Sequence, residues 1–182
     1  MSAKKHSREP KRERVQTGFS LIELLIVVAI ILIIAAIAIP NFLRSRMAAN
    51  EASAVENVRT ITTASVIYST TWGNGYPPSL SSLGGTGTTA TCDFANLVDP
   101  IISTAPYTKS GYVLGYTGNS GLATQGGGCG APGYLGYLVT AIPQSSYSGT
   151  RSFCSGEPGV IHFDTTGTLA ASEAACNALP SL

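Results

Sequence analysis

Residues 18–40, GFSLIELLIVVAIILIIAAIAIP, constrain this chain more than any other stretch. From Phe19 to Ile39 the run is 21 residues long, and only Ser20 and Glu23 in it are polar. Coiled as a helix, about 20 apolar residues match the hydrocarbon thickness of a bilayer, so the segment can cross a membrane. Glu23 is the exception. An ionisable group inside a span costs about 2.5–3.5 kcal/mol even on the milder insertion scales, and it is kept where it finds a partner. The span holds no basic residue. The partner must therefore be a free amino terminus created by cutting nearby, or a group on another copy of the chain.

Charge divides around this segment. Residues 1–18 carry Lys4, Lys5, Arg8, Lys11, Arg12 and Arg14 against Glu9 and Glu13, a net +4 with His6 neutral, and the remainder carries five bases and eight acids, a net −3. A basic flank stays on the cytoplasmic side, which sends the C-terminal part across the membrane. The overall +1 hides this split and gives no ground for nucleic-acid binding. With Pro10 and no apolar periodicity, residues 1–18 read as an unfolded cytoplasmic leader. Gly18 at its end lets a protease approach the backbone closely, because glycine has no Cβ.

The string GFSLIE, followed by a long Leu/Ile/Val/Ala run with Pro40 near its end, resembles the prepilin N-terminus of type IV pilins and type II secretion pseudopilins. The close resemblance covers residues 17–45. It implies cleavage by a prepilin peptidase between Gly18 and Phe19 and N-methylation of Phe19. It also places Glu23 at the family's glutamate, fifth in the processed chain, and Pro40 where many members have a proline. The rival is a secretory signal peptide, with Ala36-Ile37-Ala38 as its A-x-A site. Against it, the apolar stretch exceeds the ~7–15 residues of such cores, and Glu23 lies inside it.

Beyond Pro40 the pattern turns amphipathic. Val55, Val58, Ile61, Ser65 and Tyr68 recur at spacings of three and four, with Glu51, Glu56, Asn57 and Arg59 assigned to other faces. Ala48, Ala49, Ala52 and Ala54 favour helix. Gly73-Asn74-Gly75 and Pro77-Pro78 stop it, so a helix from Phe19 to about Thr71, ~80 Å of helical rise, is expected. Pro40 would loosen that helix without ending it. The boundaries read as leader 1–18, span 19–39, amphipathic helix 40–71 and a head at 72–182.

In the head, GYVLGY (111–116), YLGYLVTAI (134–142), RSFC (151–154) and GVIHFD (159–164) read as strands, with NSG, GGGCG and SGEPG as turns. YPPSLSSLGG (76–85) reads as a loop, and 92–102 holds a short helix or ordered turn. Short connections favour an antiparallel sheet of about four strands laid on the helix, an α+β, pilin-like plan. Cys92, Cys129, Cys154 and Cys176 all lie in the exported part, which suits two disulfides in an oxidising compartment. Three pairings are open, and sequence order suggests Cys92–Cys129 with Cys154–Cys176. The second of these resembles the C-terminal disulfide loop of many type IV pilins. Zinc is a poor rival at these spacings, with His162 the one downstream histidine.

No catalytic set, cofactor motif or metal loop emerges, so the chain does not read as an enzyme. Asp93, Asp99, Glu157, Asp164 and Glu173 form no dense calcium loop, and the DPWG-like segment and calcium loop of major secretion pseudopilins are not evident. Eight tyrosines and Trp72 read chiefly as packing. The resemblance implies a structural subunit whose partners are further copies of itself, the peptidase, the pilus assembly machinery and the inner membrane. In that picture the chain is single-pass with a periplasmic head, and is later part of an extracellular pilus or a periplasmic pseudopilus. Glu23 would pair with the Phe19 amine of a neighbour. The alternatives are a pseudopilin or minor pilin and, in another class, a membrane-tethered binding protein or enzyme that never polymerises.

Overall fold

The computed structural model describes residues 18–182 except 86, 88, 127 and 169. The leader expectation for residues 1–17 lies outside the described residues. The chain divides into two compact units, one ending at Pro40 and one running from Asn41 to Leu182. The second unit therefore takes in the amphipathic helical residues together with the head.

Helix α1 is assigned from Leu21 to Trp72 and continues through Pro40. It ends where the sequence supplies a left-handed residue. Gly73 adopts φ 57° and its N–H bonds the Ser69 carbonyl at 3.0 Å, closing the last turn. Within the second unit, Ala54, Val58, Ile61, Ala64 and Tyr68 of α1 are buried. They pack on the inner face of the sheet as one apolar cluster. Two expectations fail on this helix: Glu51 and Asn57, assigned to outer faces, are buried, while Glu56 and Arg59 are exposed.

The sheet has five antiparallel strands in sequential order: β1 (Thr108–Lys109), β2 (Tyr112–Leu122), β3 (Tyr134–Pro143), β4 (Ser152–Gly156) and β5 (Ile161–Asp164). The extra strand, β1, is two residues long, too short to leave a sequence pattern. NSG is not a turn. β2 runs through it, with an irregular register between Asn119 and Leu122 and positive φ at Ser120 and Gly121. Such a bulge uses turn-type residues without ending the strand. Three short helices complete the head: α2 (Leu80–Leu83), inside the segment read as a loop, α3 (Pro100–Ser103) and α4 (Glu173–Asn177).

Alternation along β3 separates the two faces of the sheet. Tyr137, Val139 and Ala141 join the cluster under α1, as do Tyr112 and Leu114 of β2 and Phe153 of β4. On the far face Leu138 meets Cys154, Cys176, Ala170 and Leu179, so the C-terminal segment roofs the centre of the sheet. β3 is thus covered on both sides, which explains its continuous apolar run.

Candidate functional site

Gly18, Phe19 and Ser20 precede the helix and are exposed. Ser20 stands at the N-cap position and Glu23 three residues later, the spacing of a capping box. The Glu23 carboxylate reaches back to accept the Ser20 N–H at 3.1 Å, satisfying one of the donors that a helix start leaves open. One carboxylate oxygen, Oε2, makes this bond. A negative charge here also faces the positive end of the helix dipole.

Past this first turn the helix presents an apolar surface with no cover of its own. From Leu21 to Pro40 every residue is exposed except Ala35, which is partly covered. This is the one helix among the described residues long and apolar enough to cross a membrane. Isolated exposed leucines are ordinary, but a contiguous apolar cylinder of this size marks a surface made for lipid or for other helices. Gly18 is instructive in another way. A Cβ built there meets nothing within 4 Å, so the fold itself places no demand for glycine at that position. Pro40 sits within the helical residues, far from Glu23 in sequence, and shares no contact with it that would make one site.

The cysteines pair as Cys92–Cys129 and Cys154–Cys176, with Cα separations of 5.5 and 6.0 Å. The first ties the connection after α1 to the β2–β3 loop, and the second holds α4 against β4. Tyr68 supports the first by donating its hydroxyl to the Cys92 carbonyl at 3.0 Å. Asn74 stitches the same loop, donating to the Ala131 carbonyl at 2.9 Å and accepting the Gly126 N–H at 3.0 Å.

Four of the residues weighed as catalytic or metal ligands, His162, Asp99, Asp164 and Glu173, have structural partners. His162 Nδ1 bonds the Leu179 carbonyl at 2.7 Å. Asp99 caps α3 through the Ile101 N–H, Asp164 holds Thr166 and Thr168, and Glu173 accepts the Glu157 N–H. Among the described residues no three His, Cys, Asp or Glu side chains gather as a metal site.

Sequence reading missed the clamp at Glu51. Its carboxylate accepts the Thr150 N–H at 3.0 Å and the Arg151 Nε–H at 2.8 Å, and it pairs with Arg151 Nη2 at 2.7 Å. Beside it Asn50 donates to the Ser148 carbonyl at 3.0 Å. Burial pushes the Glu51 pKa up, but the Thr150 and Arg151 hydrogen bonds and the Arg151 charge outweigh it and hold the carboxyl below its ordinary 4.5. Tyr68, Tyr112 and Tyr137 are packed in the core, whereas Tyr147 is exposed. Burial pushes both Tyr112 and Tyr137 up to about 12.

The geometry defines a class: a chain whose exposed apolar helix starts at a capped acidic turn and leads to a separately compact, disulfide-tied α+β head. Comparison with known proteins agrees at the N-terminus. Residues 14–39 match the family model described as the prokaryotic N-terminal methylation motif. The chain is also similar to the type IV major pilin protein PilA of Myxococcus xanthus (strain DK1622), at 53% identity over 47 residues. That alignment spans 26% of this chain and 21% of the relative's length. No solved structure matches. The chain therefore carries a prepilin-type methylation motif and a pilin-like start, and the likeness found in sequence is local to that region.

Proposed function

We propose that the chain is a structural subunit of a type IV pilus, cut between Gly18 and Phe19, N-methylated on Phe19, and polymerised from the inner membrane through residues 19–39. The observation that carries this reading is the exposed apolar helix with a lone carboxylate in its first turn. Lipid covers such a surface before assembly, and neighbouring helices cover it afterwards, with cohesion from close packing. Cleavage creates an amine at Phe19, which is 84% exposed and so open to a second molecule. Glu23 of one copy neutralises the Phe19 amine of the next. An unpaired buried charge is costly and a paired one tolerated, so the pair sets subunit stagger more than it adds strength. Glycine at position 18, which the fold does not require, answers to the peptidase.

Mass spectrometry of the mature N-terminus tests the processing step. The expected result is a chain beginning at N-methylated Phe19, and a chain beginning at Ile39 would establish signal-peptide cleavage instead. Glu23→Ala tests the assembly step by electron microscopy of sheared filaments: a polymerising subunit loses its fibres, whereas a simple tether keeps its location and function.

A further inference from the structure

Between the apolar run and the first buried residue of the head lies a short stretch of helix that neither uses. Buried α1 residues begin only at Glu51. In the stretch before it, Phe42, Leu43, Arg44 and Arg46 are all exposed, Phe42 at 66%. Arg44 and Arg46 lie five and seven residues beyond Ile39, and no acid occurs between Glu23 and Glu51. Among the described residues neither arginine forms an ion pair; the two pairs present are Arg59–Glu56 and Arg151–Glu51. Two cations thus stand just past the span with no counter-charge among the described residues.

We infer that Arg44 and Arg46 form a collar that binds the phosphates of anionic phospholipids on the head's side of the membrane. This rests on the reading of residues 19–39 as a membrane span. The headgroup layer is about 5–7 Å deep on each side, which a helix crosses in roughly three to five residues. Helical side chains lean toward the N-terminus, here back toward the span, and the long arginine stem extends that reach. Phe42 and Leu43 supply the apolar component that suits an interface. Arg46 follows them at spacings of four and three, and so shares their face. A carboxylate from a second copy is the competing occupant, but most of the candidate acids are engaged. Glu51 and Glu56 are ion-paired, Asp99 caps a helix, Asp164 is bound in its own turn, and Glu173 accepts a backbone N–H. Bilayer phosphates are available without dismantling any of these.

The test is native mass spectrometry of the full chain in mild detergent with equimolar phosphatidylglycerol and phosphatidylcholine. The expected result is preferential retention of phosphatidylglycerol, by about fivefold per arginine at low salt. Arg44→Gln combined with Arg46→Gln should lose this preference down to whatever the basic leader retains. Arg44→Lys with Arg46→Lys should keep it, and Arg59→Gln should leave it unchanged. Unaltered selectivity in the double Gln variant overturns the inference. So does a double Gln variant that shifts only the monomer–oligomer balance, which would assign the arginines to a second copy. A chain that retains neither lipid speaks against the span itself, whereas equal retention of both speaks against the collar alone.

Discussion

The two units solve opposite problems with the same helix-forming vocabulary. Between its first turn and Pro40 the helix is apolar on all sides and buries nothing of its own. After Asn41 it keeps one buried stripe and surrounds it with polar contacts to loops far away in sequence. The first unit is thus built to be completed by its surroundings, and the second completes itself. Substitutions should therefore register in different assays on the two sides of Pro40.

The largest contrast should come from a matched pair. Phe153→Ala, at a site 2% exposed, should cost the head about 3–5 kcal/mol in urea denaturation. Leu25→Ala, at a site 60% exposed, should leave head stability within about 0.5 kcal/mol and act only on membrane retention or assembly. An equal loss of head stability from both would break the division. Next, replacing Cys154 and Cys176 together by serine opens a bridge spanning 22 residues and should cost roughly 3–4 kcal/mol by the chain-entropy estimate. Thermal unfolding under non-reducing conditions measures it, with insertion of residues 19–39 unchanged.

A smaller effect sharpens the polar side of the comparison. Glu51→Ala removes a charged acceptor from Thr150 and Arg151 and should cost about 2–3 kcal/mol near neutral pH. Because the folded carboxyl titrates below its ordinary 4.5, its contribution is complete above that value. It is lost as pH falls through the lower folded pKa. Urea midpoints of wild type and Glu51→Gln should therefore differ at pH 7 and converge in acid. A gap that persists at pH 2 would remove Glu51 ionisation as the cause.

The same division explains what the sequence reveals. The apolar helical run is legible because its pattern is local and needs no knowledge of the head. The cores of β2, β3 and β4 are legible through their aromatic and branched residues. Glu51 is not, since its partners lie 99 and 100 positions later and nothing near it in the chain announces burial. Asn57 misleads too, because it is a polar residue buried on the helix with no hydrogen bond from its Nδ2 among the described residues to explain it. Helices of four or five residues, such as α2 and α4, complete barely one turn and leave no periodicity to read. NSG in β2 misleads in the opposite way, because the residues favoured in reverse turns also serve bulges.

The C-terminus of the chain is sewn down. Ser181 bridges His162, and the Phe163 N–H and the Ile161 carbonyl bond Pro180 and Leu182, so the last residues run beside β5 as a selvedge. An affinity handle added after Leu182 would hang from that hem, and trimming the chain before Pro180 would bare a rim to which other chains can stick.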